Sequence, residues 1–501
     1  MNKSKKFLAT ALATLTAFSC GSMLTGCLGG SGDGGAVNPI FAPTLTIPTG
    51  GYDGSKQTVT FYHTMGQNLQ EVLDRYIAKF NVMFPNITVV ATQEGGYDDV
   101  RDKITTEISA KKTPNMAYCY PDHVALYASG AAVLTLDDLI ASTETVTYNL
   151  ANGSTAQMPL GFTQAQINDF IPGYYNEGAA FGNDKMYMLP FSKSTEVLFY
   201  NKTFFEEHEL SLPETWEDME ELLYDIKEID PTCIPLGYDS ESNWFITMCE
   251  QQGSPYTASK DVSVKRDHFA YNVEDNWEFV EKFRGWYKEE LVTTQELYGS
   301  YTSKLFTGGD ANMRSYMCIG SSAGASKQCP TPNDKGEFPF EVGITTIPQV
   351  DPDHPKVISQ GPSICMFDKG AGKEQEMIAT WLFMKYITTS GAFQAEFSYA
   401  SGYVPVLQST IDNPVYADHL DKANGLSNNG VTAMSAKVCM DQAQAYFVSP
   451  AFYGSSVARD QVGALLRACF SGNPKGGQSV REFIQDQFSQ SITKCVDKVT
   501  G

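Results

Sequence analysis

The sequence offers little with which to bind a metal ion or to build a disulfide framework. Its six histidines are scattered singly, without an HxxxH or HExxH pair, and its eleven cysteines show neither a CxxC motif nor a regular spacing. Zinc sites and disulfide-stabilised scaffolds depend on such spacings. We therefore expect no metal and no other cofactor, and we interpret most cysteines as small buried side chains or opportunistic pairs.

Basic residues are also scarce, because 36 lysines and arginines stand against 58 aspartates and glutamates, which gives a formal net charge of -22. Such an acidic chain is a poor candidate for binding nucleic acid or for an electrostatic hold on anionic lipid. Paired acids such as Asp98 with Asp99 are interpreted as helix-surface or capping charges rather than as catalytic pairs. The sequence therefore predicts a protein that is not an enzyme.

The N-terminal segment has the features of a bacterial lipoprotein signal. Three lysines precede an uncharged stretch over residues 7–24, whose threonines and serines make it too polar for a stable membrane span. The stretch leads into Leu-Thr-Gly-Cys, which is similar to the lipobox, where cleavage before the cysteine leaves that residue to carry lipid. We therefore predict a signal peptide over residues 1–26, lipidation of Cys27, and a location at the outer face of the bacterial cytoplasmic membrane.

The rest of the chain divides into a linker and a large body. Residues 27–51 are rich in glycine and proline, a composition typical of a flexible tether. The body that follows, of about 450 residues, is longer than one hydrophobic core normally supports, so two or more domains are expected.

The body alternates strand-like and helix-like segments from its beginning. Residues 58–63 and 87–91 alternate apolar and polar side chains, and residues 69–83 between them carry apolar side chains at helical spacing. A strand, a helix and a strand in this order predict a βαβ unit with parallel strands. Later segments continue the pattern, with a helix capped by Thr215 and a strand over 357–365, so the fold class is α/β. Ligand contacts are expected in the loops that follow the strands.

An ordered series of motifs extends over nearly the whole body. It starts at His63 and Met65, includes Tyr97, and continues through residues 113–120, 189–205, Gly361 and 401–405. Residues 189–205 resemble the first interlobe crossing of the family 1 extracellular solute-binding proteins, the substrate-binding lipoproteins of ABC importers. Within that family the chain is most similar to the members that bind glycerol 3-phosphate and less so to those that bind maltose.

The resemblance implies a two-lobed fold of the type II periplasmic-binding-protein class, with three crossings between lobes that close on the ligand like a hinge. The implied crossings lie near residues 191–195, 357–362 and 402–403. Lobe 1 then comprises residues 52–192 and 362–402, and lobe 2 comprises residues 193–361 and 403–501.

The resemblance also implies a ligand site between the lobes. Aromatic rings would pack on the apolar face of a sugar, while carboxylate, hydroxyl and backbone groups would pair with its hydroxyls. The implied residues are Tyr97, Asp122, Ser194, Trp244 (expected in a loop of the second lobe), Ser321, Ser322, Gly361 and Tyr403. Structural roles remain open for several of them, because the two large aromatic side chains could fill lobe cores and the aspartate and the paired serines could cap helices.

The expected ligand follows from one departure from the family. Its phosphate-binding members carry an arginine near the C-terminal side of the fold, whereas residues 450–455 of this chain provide no cation before Arg459. A dianion without a bidentate guanidinium would be poorly offset. We therefore expect a monomer that binds a neutral mono- or oligosaccharide and partners the ABC permease subunits. A glycerol-phosphate-type ligand is the alternative, and a secreted glycosidase or an adhesin are further hypotheses.

Overall fold

The computed structural model of the chain describes residues 43–181, 183–258, 265–308 and 313–500. The predicted signal peptide, the predicted lipidation site Cys27 and the predicted tether up to residue 42 lie outside the described residues. Within the described ranges, no helix is both long and apolar enough to cross a membrane. Residues 43–51 depart from the expected free tether, because Leu45 is buried in an apolar core and the Pro43 carbonyl accepts a hydrogen bond of 3.2 Å from the Thr135 amide.

A five-stranded sheet forms the centre of the first lobe. Its strands are, in spatial order, Ile87–Gln93, Gln57–His63, Met116–Cys119, Ser363–Met366 and Met188–Pro190. The first two strands run parallel, with Gln67–Met83 as the helix between them, which confirms the predicted βαβ unit. The strand at 363–366 is antiparallel to both of its neighbours, so a distant part of the chain returns to complete this sheet.

A second five-stranded sheet forms the centre of the second lobe. Its strands are, in spatial order, Val342–Thr345, Glu196–Asn201, Met317–Ser321, Leu236–Tyr238 and Val292–Thr294. Apolar side chains of the C-terminal helices, among them Leu466 and Phe488, pack in the same core as residues of this sheet. The two cores make the fold a two-lobed α/β structure, as the sequence predicts.

Helices cover the faces of both sheets, and two short strand pairs complete the architecture. The α-helices, in chain order, are Gln67–Met83, Tyr97–Ala110, Pro121–Ser129, Asp137–Ile140, Gln164–Asp169, Pro172–Glu177, Lys202–Glu207, Trp216–Ile229, Glu241–Gln252, Glu274–Lys288, Gln295–Tyr298, Ser303–Phe306, Glu374–Thr389, Gly391–Ala400, Gln408–Ile411, Pro414–Leu420, Asn428–Asp441, Ser455–Ser471 and Val480–Thr500. The short pairs are Thr145–Asn149 with Thr155–Pro159, and Val357–Ile358 with Tyr446–Phe447.

Three segments of the chain pass between the lobes and bond to one another. Ser194 and Gln360 exchange two backbone hydrogen bonds, of 3.0 and 2.8 Å. Lys193 and Val404 exchange two more, of 3.1 and 2.7 Å. The first crossing is therefore paired with the second on one side and with the third on the other, which ties all three into one seam.

Two local predictions have different outcomes. The Thr215 cap is confirmed, because its hydroxyl accepts a hydrogen bond from the Asp218 amide (3.0 Å) and the Asp218 carboxylate accepts one from the Thr215 amide (2.8 Å). The single strand expected over residues 357–365 is wrong. Val357–Ile358 pairs in the second lobe and Ser363–Met366 in the first, because the chain turns between them at Gly361, whose φ is +90°.

The nine cysteines among the described residues are all free thiols, and eight of them are buried. This agrees with their interpretation as small buried side chains rather than as a disulfide framework.

Candidate functional site

The lobes enclose a cavity of about 170 Å³ whose wall comes from both of them. Its lining residues are Tyr97, Asp98, Tyr120 and His123 on the first lobe, and Ser240, Asn243, Ser359, Gln360 and Arg459 on the second lobe and the second crossing. A smaller cavity of about 30 Å³ shares three of these residues and adds Asp122 and Glu177. Tyr120 directly follows the strand Met116–Cys119, so the main cavity lies at the carboxyl edge of the first sheet, where α/β sheets bind ligands.

Tyrosines form much of the first-lobe wall. Tyr97 begins the helix Tyr97–Ala110, and its hydroxyl lies 3.1 Å from that of Tyr403 at the third crossing. The ring centroids of Tyr97 and Tyr120 are 4.7 Å apart. Burial, followed by the neighbouring phenols, raises the pKa of Tyr97, so its hydroxyl stays protonated. The wall therefore offers ring surface together with neutral hydroxyl groups.

Two helices of the second lobe form the opposite wall. Ser240 caps the helix Glu241–Gln252, because its hydroxyl accepts a hydrogen bond of 3.3 Å from the Asn243 amide. The side-chain oxygen of Asn243 accepts a hydrogen bond of 2.5 Å from Arg459, which extends from the helix Ser455–Ser471. Asn243 thereby fixes the guanidinium in the cavity wall.

Every carboxylate that lines the two cavities has a cationic partner. The pairs are Asp98 with Arg101 (3.0 Å), Glu177 with the buried Lys193 (2.5 Å) and Asp122 with Arg459 (3.7 Å). Because Arg101 is shared with Asp102 and Asp460, these pairs leave no positive charge in excess of the acids at the walls.

Arg459 is the one guanidinium or ammonium group that lines either cavity in the part of the chain that the structure describes. Burial opposes its charged form, but the carboxylate of Asp122, followed by Tyr256 and Tyr120, more than offsets this, and the pKa of Arg459 is raised. Arg459 is therefore a permanent cation whose charge is balanced from the opposite lobe.

Some buried polar atoms around the cavities have no hydrogen-bond partner among the described residues. They are Asp122 Oδ2, His123 Nδ1 and Ser449 Oγ. Burial lowers the pKa of His123, which leaves the imidazole neutral at pH 7. An unpaired buried polar group costs about 1 to 3 kcal/mol. A ligand with several hydroxyls would relieve this cost by pairing with them.

Three of the residues predicted from the sequence lie at or next to the cavities. Tyr97 lines the larger one and Asp122 the smaller one. Tyr403 lies outside the lining but contacts Tyr97 through its hydroxyl. Asp122 is in the first turn of the helix Pro121–Ser129 and makes no side-chain cap there, so the capping alternative is not what the structure shows.

Four other predicted residues lie together along the seam of the crossings, and none of them lines either cavity. The Ser321 hydroxyl donates to Ser194 Oγ over 3.3 Å and accepts from the Ala323 amide, which caps a short 3-10 helix. The Ser322 hydroxyl accepts from the Thr195 amide over 3.2 Å. At Gly361 an added Cβ would collide with the backbone of the first crossing. Their described contacts are structural.

The placement of Trp244 corrects the sequence prediction. It lies on the helix Glu241–Gln252 rather than in a loop, and its side chain is fully buried. Its ring stacks on Tyr238 (centroids 4.5 Å apart) and on Phe283 (4.3 Å). With its surroundings filled by the second-lobe core, Trp244 has no face to offer to a ligand.

The main residues missed by the sequence prediction are Tyr120, His123, Asn243 and Arg459. Asn243 immediately precedes Trp244, and successive helical residues point about 100° apart, so one faces the cavity while the other faces the core. Arg459 follows Ser455 by four residues on one helix, and both line the smaller cavity. The position of Arg459 depends on its contact with Asp122, a residue far away in the chain, so no local pattern in the sequence indicates it.

The described residues show few features of an enzyme active site or of a metal site. Residues 320–324 have the Gly-x-Ser-x-Gly spacing of a hydrolase nucleophile, but Ser322 is fully buried and its hydroxyl accepts a hydrogen bond from a backbone amide. Across the described residues, no group of three or more histidine, cysteine or acidic side chains is arranged to hold a metal ion.

Residues 75–424 match the family model described as bacterial extracellular solute-binding protein. Among curated proteins, the chain is 26% identical over 186 residues to the sn-glycerol-3-phosphate-binding periplasmic protein UgpB of Escherichia coli K12, covering 36% of this chain and 38% of that protein. The match thus spans well under half the length of this relative.

Solved structures of binding proteins share the fold over almost their whole length. The GacH receptor of Streptomyces glaucescens, solved unliganded and with acarbose, superposes with a TM-score of 0.65 at 14% identity, covering 89% of this chain and all of that one. UgpB of Mycobacterium tuberculosis, solved with glycerophosphocholine, gives 0.66 at 15% identity, covering 89% and 99%. MalE of Xanthomonas citri gives 0.64 at 17% identity, covering 88% and 98%.

Proposed function

The chain belongs to the bacterial extracellular solute-binding proteins, and from this membership we propose that it captures a neutral mono- or oligosaccharide between its lobes for delivery to an ABC importer. The observation that carries the proposal is the pair of cavities at the lobe interface, with tyrosine rings and unpaired polar atoms in their walls. A solute that contacts both lobes at once stabilises the closed arrangement, because only that arrangement offers all of the contacts.

The charge balance of the walls supports a neutral ligand. Asp98, Asp122 and Glu177 are each ion-paired, so the cavities offer no cation in excess to an anionic solute. Tyrosine rings suit the apolar face of a sugar, and the imidazole, hydroxyl and amide groups suit its hydroxyls. The cavity of about 170 Å³ is smaller than the ~300 to 1,000 Å³ of pockets for drug-sized ligands, which favours a single sugar ring over a long chain.

A phosphate-bearing solute is the second candidate, and one observation favours it. Arg459 lies in the cavity wall, where the sequence analysis expected no cation. A guanidinium is the side chain best suited to bidentate phosphate binding, and relatives of this chain bind glycerol 3-phosphate or glycerophosphocholine. We rank it second because Arg459 already has Asp122 and Asn243 as partners.

In this proposal the protein acts as a monomer at the outer face of the cytoplasmic membrane, where the permease subunits receive the sugar. The lipobox-like sequence before Cys27 supports a lipid anchor at that residue. The variant Cys27→Ala should lose the lipid mass from its N-terminal peptide and leave the membrane fraction. An unmodified Cys27 in the wild-type protein would remove the anchor from the proposal.

Calorimetric titration of the purified protein with a carbohydrate panel tests the function. We expect one or more sugars to bind and to raise the stability of the protein, by about 2.7 kcal/mol at a ligand concentration 100 times the Kd. Tyr97→Ala should weaken binding at least about tenfold, a loss of ~1.4 kcal/mol. Tyr224→Ala is the matched control, because this tyrosine is exposed on a second-lobe helix away from the cavity lining.

Incubation with oligosaccharides and the response to free sugar separate the other hypotheses. A glycosidase would release reducing ends from oligosaccharides during incubation, which a binding protein does not do. An adhesin would bind a protein partner and show no saturable stabilisation by free sugar. Absence of binding across the sugar panel would remove the neutral-sugar proposal.

A further inference from the structure

The single guanidinium in the cavity wall is held by groups from both lobes. Asn243, on the same lobe as Arg459, accepts a hydrogen bond of 2.5 Å from its Nη1. Asp122, on the opposite lobe, has its Oδ2 at 3.7 Å from Nε. The two contacts differ in kind, because the amide positions the guanidinium without changing its charge, whereas the carboxylate neutralises it.

The Asp122 carboxylate is buried, and Arg459 is its cationic partner. Its side chain is only 11% exposed, and its Oδ2 makes no hydrogen bond to any described residue. A buried carboxylate with an unpaired oxygen is unfavourable by itself, so its charge requires the nearby cation. Asp122 also lines the smaller cavity together with Arg459, where its carboxylate would repel an anionic group that approaches the guanidinium.

We propose that Asp122 determines the charge specificity of the site, by occupying Arg459 across the cleft and excluding phosphate and other anionic solutes. This inference rests on the proposed capture of a neutral solute in the same cavity. The Arg459 guanidinium could bind an anion, but the Asp122 carboxylate neutralises it. Such a carboxylate discriminates against anionic solutes by repulsion.

Removal of the carboxylate charge should expose the latent anion site. In Asp122→Asn the side chain keeps its size, and Asn243 still holds Arg459 in the wall. The guanidinium then lacks its counter-charge, and a phosphate group can supply it through two parallel N–H···O bonds. Asp122→Ser provides a second variant with the same loss of charge if the asparagine disturbs folding.

The experiment is calorimetric titration of wild type and variants with glycerol 3-phosphate, with inorganic phosphate, and with whichever neutral sugar the wild type binds. We expect Asp122→Asn to bind glycerol 3-phosphate at least about tenfold more tightly than wild type, and the gain to shrink as salt is raised. Asp98→Asn is the matched control. This acid also lines the cavity but pairs with Arg101, so its variant should gain no phosphate binding.

A double variant, Asp122→Asn with Arg459→Gln, should lose the gained phosphate affinity, since the cation that binds the phosphate is gone. The inference is overturned if wild type already binds glycerol 3-phosphate as tightly as the variant does. It is overturned also if both folded Asp122 variants show no gain, or if Asp98→Asn gains as much. The neutral-sugar titration of wild type reports separately on the proposed function, so the two failures are distinguishable.

Discussion

Glu196 is a buried carboxylic acid behind the second-lobe wall of the cavity. Its side chain is fully buried, one carboxyl oxygen accepts a hydrogen bond of 2.7 Å from Tyr238, and the other has no partner among the described residues. Burial raises the pKa of Glu196 to about 8, although Tyr238, Asn243 and Arg459 act to lower it and Asp239 adds a smaller rise. The carboxyl therefore carries a proton at neutral pH.

This protonation predicts a pH-dependent stability. An unfolded glutamate ionises near pH 4.3, so between about pH 4.3 and 8 the folded protein binds more protons at Glu196 than the unfolded chain does. The contribution of this group to the free energy of unfolding then falls as pH rises through that window, by up to ~1.4 kcal/mol per pH unit. Glu196→Gln cannot ionise, so its stability relative to wild type should increase steadily from pH 5 to pH 8.

Urea unfolding of both proteins at pH 5, 6, 7 and 8 measures this difference. Glu221→Gln on an exposed helix surface is the control and should track wild type at every pH. A Glu196→Gln curve parallel to wild type across the range would contradict a protonated Glu196.

At the scale of single residues, the family resemblance was the source of the site prediction. It implied Tyr97 as a ligand-binding residue, and Tyr97 lines the larger cavity. Trp244 was expected in a loop, but it lies on the helix Glu241–Gln252, where it faces the core and the preceding Asn243 faces the cavity. Arg459 was passed over because a pairing with Asp122, far away in the chain, leaves no local pattern.

At the scale of the elements, hydrophobic periodicity and helix capping predict the strands and helices. They do not predict how the three interlobe crossings pair with one another. The βαβ unit and the Thr215 cap depend on residues close in sequence, and both are observed as predicted. The seam joins residues 191–195 to residues 359–362 and 402–404. Its hydrogen bonds therefore connect residues that are distant in the sequence, and a local sequence pattern cannot predict them. Residues 357–365 were therefore predicted as one strand, although their two ends pair in different lobes.

Gly361 is the position at which the second crossing depends on one residue type. Its φ of +90° is strained for any residue with a Cβ, and an added Cβ would meet the Ser192 carbonyl and lie 2.7 Å from Lys193 Cα. We expect Gly361→Ala to lower the free energy of unfolding by more than ~1 kcal/mol, because the backbone strain and the displaced first crossing both contribute.

Gly153→Ala separates these two contributions. Gly153 has a similar φ of +84° in an exposed hairpin turn, and an added Cβ there meets nothing within 4 Å. Urea unfolding of both variants should show the larger loss at Gly361. Equal losses would mean that the crossings tolerate displacement and that the seam is less rigid than its contacts indicate.

At the scale of the whole molecule, Arg101 makes a second interlobe contact in addition to the Asp122–Arg459 pair. Arg101 is 10% exposed and pairs with Asp98 and Asp102 on its own helix, at 3.0 and 2.9 Å. It also reaches the other lobe, where it lies 3.3 Å from Asp460 and donates to the Ser456 hydroxyl over 3.1 Å. Burial opposes its charge, but these acids more than offset this and raise the pKa of Arg101. The charge that joins the lobes is therefore present at any accessible pH.

The two-lobed fold was predictable from an ordered series of motifs, but the contact between Arg101 and Asp460 was not. These two residues are far apart in the chain, and in the sequence each looks like an ordinary helix-surface charge. The contact has an energetic consequence, because a ligand binds most tightly to the arrangement in which both walls are already together. The apparent Kd rises as the fraction of molecules in that arrangement falls.

Arg101→Met should therefore favour the open arrangement and weaken sugar binding, by about 5-fold to 150-fold for a loss of ~1 to 3 kcal/mol. Small-angle scattering should show a larger radius of gyration for the ligand-free variant than for ligand-free wild type, and equal radii at saturating sugar. Arg75→Met is the matched control, because Arg75 pairs at 3.0 Å with Glu396 within the first lobe and does not bridge the cleft. If Arg101→Met and Arg75→Met gave the same radius and the same affinity, the Arg101–Asp460 pair would not contribute to closure, and the seam of crossings together with the Asp122–Arg459 pair would have to set the distance between the lobes.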